Sequence, residues 1–195
     1  METLTLADIP CTLYVDCQVR DRYCMTDLVS GSIESLRGFH AELQQLVAVI
    51  PARDAQVRPY PDAWSIVEII GHLGDAERVM RERIQLLCAH DAPTILPFDQ
   101  DAAVRTNHYQ HQDMNALLGT LVYERQQTLA LVVGLQSADF SRTGWHSEVG
   151  LMRVDMMLEY LAKHDYSHYR HIHVILRHIA KNSPSLEDKG SPLHA

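Results

Sequence analysis

Apolar residues recur along this chain every three or four positions in four separate stretches, the spacing of amphipathic helices. The first stretch runs from about Ser32 to Ile50, with Ile33, Leu36, Leu43, Leu46, Val47 and Ile50 on one stripe, and Pro51 ends it. The second opens at Ser65, a good N-cap, and Glu68 three residues later completes a capping box. Its stripe is Ile66, Ile69, Ile70, Leu73, Ala76, Met80, Ile84 and Leu87, until Pro93 stops the pattern. The third begins after Asp113 as N-cap and reaches about Leu135, and the fourth runs from about Arg153 to Lys181.

Alternating apolar and polar runs of the strand type are absent from this reading. The sequence therefore predicts an all-α fold, a four-helix bundle over residues 31–181. The connection from Ala92 to Gln112 is too long for a structureless loop. It is expected to be partly ordered, with a short helical piece near Asp101 to Tyr109, or functional. Residues 1–30 show no sustained period and read as a loosely ordered N-terminal extension, with Met25 just before the first clear helix as an alternative start. Residues 182–195 are polar, contain Pro184, Gly190 and Pro192, and read as a flexible tail.

Composition narrows the function more than the fold. The 195 residues are 46% hydrophobic and 22% charged, as in folded proteins. Lys plus Arg is 17 against 25 Asp plus Glu, a net charge of -8 without a basic run. That argues against nucleic acid, whose binding rests on neutralising phosphates, and against anionic lipid. No apolar stretch approaches the roughly 18 residues of a membrane span. The N-terminal METLTLADIP lacks the basic and apolar regions of a secretory signal. Cys11, Cys17, Cys24 and Cys88 are irregularly spaced, with no CxxC, so the expectation is free thiols in the cytoplasm.

Histidine is the residue type that stands out, with 12 in the chain and a concentration in the fourth helix. At about 100° per residue, His164 and His168 lie one turn apart and about 40° around the helix, so their rings can reach a common point. Met157, Leu161, Ile172, Ile175 and Ile179 lie on or near that face, which points the pair into the bundle. His72 sits beside the stripe of the second helix, flanked by Gly71 and Gly74. Glycine inside a helix costs about 1 kcal/mol against alanine, and its small size lets another helix or a ligand come close. Interior histidines on two helices are either metal ligands or hydrogen-bonded core residues, and spacing alone does not separate the two.

The residues Trp64-Ser65, Glu68, His72-Leu73, Asp75 and Glu77 resemble the pattern WSxxExxxHLxDxE of the DinB/YfiT superfamily. His146 and Gly150, followed by His164-Asp165, His168 and Ile172, resemble the second half of that pattern. The likeness covers about residues 30 to 180. It implies a four-helix bundle with a divalent metal, often nickel or zinc, held by His72, His164 and His168. Members often carry Gln where His171 stands here, and the N-terminal extension has no recognised counterpart.

Three neutral imidazoles leave at least one coordination position open, so water bound to zinc there titrates near neutrality and the cation can grip a thiolate or carbonyl. Metal-bound histidines usually give their second ring N–H to a carboxylate or carbonyl. Asp75 and Glu68 lie one turn either side of His72 and suit that role, although the capping box already explains Glu68. Asp165 and His171 are further groups able to approach. Trp64 reads as a packing anchor, Arg125 as a salt-bridge partner, Met152, Met156, Met157 and Cys88 as packing residues, and His108 and His111 as exposed loop residues.

The resemblance makes two activities expected, hydrolysis of a small molecule or transfer of a low-molecular-weight thiol. The rival reading is a non-catalytic metal-binding or dimerisation module of a stress response. A homodimer is expected in either case, because bundles with broad apolar faces pair readily.

Overall fold

The computed structural model describes residues 22–182. The readings for the N-terminal extension before residue 22 and for the tail after residue 182 lie outside these residues. Four long helices form the body: α1 (Arg22–Val47), α3 (Ile66–Ala89), α5 (Met114–Val133) and α6 (Val154–Asn182). Between them stand two short helices, α2 (Ala52–Ala55) and α4 (Gln100–Thr106), and three short strands, β1 (Thr94–Ile95), β2 (Thr143–His146) and β3 (Gly150–Arg153).

The caps explain where the helices begin. The Ser65 side chain accepts from the Glu68 backbone N–H, while Glu68 Oε2 accepts from the Ser65 backbone N–H at 2.9 Å, so the capping box of α3 is complete. Asp113 Oδ1 accepts from the Ala116 N–H at 2.8 Å and starts α5. Helix α1 begins upstream of Ser32 and contains Met25, which the sequence places ahead of the first helix. Val29 packs against the core and carries the helix back beyond the apolar stripe that made it legible.

The bundle is a ring in which α3 packs on α5 and α6, and α1 packs on the other sides of α5 and α6. Consecutive long helices α1 and α3, and α5 and α6, therefore lie on diagonals, and the chain between each pair must cross the end of the bundle. The second crossing adds a small sheet to the expected all-α bundle. Strands β2 and β3 form an antiparallel hairpin, with Trp145 opposite Leu151, and β1 joins β2 in parallel. Strands of two to four residues are too short to show an alternating pattern. Gly144 lets β2 sit tightly on the bundle, since a Cβ there would lie 2.9 Å from both the Leu87 side chain and the Pro93 carbonyl.

The core falls into two apolar parts. One gathers Ile66, Ile69, Ile70 and Leu73 of α3 with Leu117 and Leu121 of α5 and Ile172 and Ile175 of α6. The other gathers Met80, Ile84 and Leu87 of α3 with Val154, Met157, Leu158 and Leu161 of α6. Burying each such Leu or Ile side chain contributes about 1.5–3 kcal/mol. Between the two parts runs a buried polar layer of Glu77, Arg125, Thr128, Asp165 and His168. No helix among the described residues is long and apolar enough to cross a membrane.

Candidate metal centre

His72 comes from the second turn of α3, and His164 and His168 from successive turns of α6, where α3 and α6 pack against each other. The helical spacing of His164 and His168 brings their ring centroids to 4.5 Å, with centroid separations to His72 of 5.0 and 4.8 Å. His72 Nε2 and His164 Nε2 are 3.0 Å apart, and one ring nitrogen from each of the three residues lies within 4.8 Å of the others. In a tetrahedral zinc site with Zn–N near 2.0–2.1 Å, ligand nitrogens sit about 3.4 Å apart. The separations found here, 3.0 Å for one pair and at most 4.8 Å for any, bracket that spacing.

Electrostatics keep these rings neutral. Burial, then the neighbouring His168, pushes His72 down to about 3. Burial, then His72 and Arg125, pushes His164 down to about 3. His168 is held well below the usual histidine value by burial, His164 and His171. A metal ligand must present a lone pair, so neutral imidazoles are the form a cation requires. The Nδ1 atoms of all three rings are buried without a hydrogen-bond partner, so no protein hydrogen bond at Nδ1 fixes these rings. The donor set therefore fits a divalent cation of borderline softness.

Trp64 walls one side of the centre. Its ring lies 4.8 Å from that of His72 and is stacked at 6.2 Å on that of His168. The packing anchor expected from sequence thus also excludes water from two of the imidazoles. On the other side Tyr160, 43% exposed, stacks on His164 at 5.7 Å.

The groups considered as partners of the ligands are placed elsewhere. Asp75 Oδ2 accepts from the Tyr109 hydroxyl at 2.7 Å and from Asn107 Nδ2 at 3.1 Å, and Arg78 approaches its other oxygen. Asp165 Oδ2 accepts from Arg125 Nη2 at 2.6 Å. His171 stands off, its ring 6.4 Å from that of His168. Glu68 binds Arg58, whose Nε donates to Oε2 at 2.9 Å. Burial pushes Glu68 up, but Arg58 and Ser65 outweigh it and leave its pKa below the ordinary value.

The two glycines beside His72 have separate uses. A Cβ on Gly71 would lie 2.4 Å from the Tyr109 ring, so this glycine lets the 3-10 turn Tyr109–His111 dock on α3 next to His72. Gly74 faces the α5 backbone at Leu121, 3.8 Å from where a Cβ would stand.

The partners of one residue of the centre were not legible in the sequence. Arg125 of α5, expected as a salt-bridge partner, binds Glu77 of α3 (Nε to Oε2, 2.8 Å), Asp165 of α6 and the Leu36 carbonyl of α1 (Nη1, 2.8 Å). It therefore joins all four long helices at the level of the histidines. Asp165 follows His164 directly, so this network fixes the turn of α6 that carries the ligand pair. Burial pushes the Asp165 carboxyl up to about 7, against the pull of Arg125. The signal for this network was a charge set within the apolar stripe of each of three helices.

Residues 35–172 match the DinB superfamily. The chain belongs to this family. YfiT of Bacillus subtilis, a candidate metal-dependent hydrolase, is 26% identical over 143 residues, covering 72% of this chain and 79% of YfiT. The solved structure of YfiT, a four-helix bundle of unusual topology, superposes with a TM-score of 0.74 at 20% identity, covering 86% of this chain and 94% of that one. The mycothiol-dependent maleylpyruvate isomerase superposes with a TM-score of 0.62 at 10% identity, covering 80% of this chain and 70% of the isomerase. These likenesses show the four-helix fold.

Proposed function

We propose that this protein is a metal-dependent enzyme acting on a small molecule, with His72, His164 and His168 as ligands of one zinc or nickel ion. The observation that carries the proposal is the convergence of three neutral imidazoles, one ring nitrogen of each lying within 4.8 Å of the others. A divalent cation held by three neutral ligands supplies a Lewis acid and lowers the pKa of coordinated water toward neutrality. The chain's own contribution is to hold the donors. Arg125 and Asp165 brace α6, Trp64 keeps one side dry, and Tyr160 borders the more exposed side, where a substrate can reach His164.

Two reaction classes suit such a centre. Hydrolysis of a small molecule agrees with the name of YfiT, and transfer or isomerisation assisted by a low-molecular-weight thiol agrees with the name of the mycothiol-dependent isomerase. The proposal includes a homodimer located in the cytoplasm. The test is turnover of esters, amides and thiol acceptors before and after chelation. Activity that disappears with chelator and returns with zinc or nickel supports an enzyme. A fully metallated protein inert toward all three classes favours the non-catalytic module.

A further inference from the structure

A cleft of about 360 Å³ opens beside the first turn of α3, lined by Arg58, Glu68, Arg105, His108, Gln110 and His111 over Val104. Its size falls at the lower end of small-molecule sites, which run about 300–1,000 Å³. Its charge is unlike that of the chain around it. The protein carries a net charge of -8, yet the single carboxylate in this lining, Glu68, is already matched by Arg58. What remains is Arg105, exposed and without an ion pair among the described residues, together with two imidazoles. The wall behind them is fixed. Gln110 Oε1 accepts from Ser65 Oγ at 3.0 Å and from Arg58 Nε at 3.2 Å, while its Nε2 donates to the Gln56 carbonyl at 2.6 Å. His108 is held at φ 53°, a left-handed backbone that is costly for a residue with a Cβ.

Donors without ionic partners lining a concave wall are the means by which proteins hold oxyanions, and a planar guanidinium matches both carboxylate and phosphate. We propose that this cleft binds the oxyanion of a small molecule, a carboxylate or a phosphate, with Arg105, His108 and His111 as its donors. The proposal does not depend on the metal centre, because none of the three histidine ligands lines the cleft.

The experiment titrates the full-length protein with sodium phosphate and, separately, sodium malonate, at constant ionic strength set with chloride. Binding is followed by backbone amide NMR shifts. Saturable shifts centred on residues 104–111 are expected with at least one of the two. Phosphate alone identifies a phosphate site, malonate alone a carboxylate site, and both a general oxyanion site. Arg105→Gln weakens the binding about ten-fold, as expected for loss of a charged hydrogen-bond donor. His111→Gln weakens it as well. His164→Ala and the exposed Arg177→Gln leave it unchanged, the first showing that the anion does not sit on the metal centre. Linear, scattered shifts with both salts, or affinities of Arg105→Gln and His111→Gln equal to wild type, overturn the proposal.

Discussion

Replacing Arg125 with methionine removes the cation that two buried carboxylates share while keeping a similar side-chain volume. In the native protein Arg125 is 2% exposed and its partners Glu77 and Asp165 are 0% and 2% exposed, so water cannot take over its role. The Asp165 carboxyl is already pushed up to about 7 by burial. Without Arg125 the layer can become neutral only if Glu77 also takes up a proton. Holding a carboxyl protonated at pH 7 that ionises near 4.3 in the unfolded chain costs about 3.7 kcal/mol, at about 1.4 kcal/mol per pH unit. This agrees with the roughly 3–5 kcal/mol lost when one partner of a buried ion pair is removed. The folded variant then binds more protons than its unfolded chain, so its deficit shrinks as the pH falls. It should be about 4 kcal/mol at pH 7 and about 1 kcal/mol at pH 5. For a chain of this size the loss at pH 7 lowers Tm by roughly 8–16 °C. Urea denaturation of chelator-treated wild type and Arg125→Met, followed by circular dichroism at both pH values, measures it. A variant within 1 kcal/mol of wild type at pH 7, or a deficit that fails to narrow at pH 5, refutes this account of the polar layer.

Gly71→Ala is expected to push the Tyr109 ring off α3 and to cost about 1–3 kcal/mol, as overpacking does. In a Tyr109→Ala background the same change should cost little, and thermal melts of the four proteins decide this. Ser65→Ala removes the N-cap of α3 and should cost about 1 kcal/mol in denaturant titration. The metal-free protein should lose stability as the pH falls below about 6.5, because the unfolded chain protonates histidines that the folded state holds neutral, with pKa values near 3 for His72 and His164. Each such histidine contributes up to about 1.4 kcal/mol per pH unit, and His72→Gln should reduce the slope accordingly. An unchanged slope in that variant contradicts the burial argument.

Much of the bundle was legible because its signals are local. Ser65 and Asp113 mark helix starts through their own side chains, and the stripe from Ile66 to Leu87 repeats over many turns. The histidine set was legible in part, since one-turn spacing joins His164 to His168, but only the family resemblance joined His72 to them. What stayed hidden depends on pairing between distant segments. Strand β1 pairs with β2 some fifty residues further along the chain (Thr94 with Trp145), and neither strand is long enough to show a period of its own. Asp75 lies one turn from His72 in sequence, yet Tyr109 and Asn107, brought in by a later loop, claim its carboxylate. Arg125 illustrates the same limit. It reads from sequence as a salt-bridge partner, but only the ring order of the helices shows that Glu77 and Asp165 meet it from either side.

The reading of the site rests on whether the three imidazoles hold a cation. Elemental analysis of the purified protein after dialysis, alongside His72→Ala, His164→Ala and His168→Ala, tests that directly. The account predicts about one zinc or nickel per wild-type chain and little or none in each variant, since three ligands leave no redundancy. A wild type as empty as the variants after dialysis against zinc or nickel, or variants as fully loaded as wild type, contradicts it.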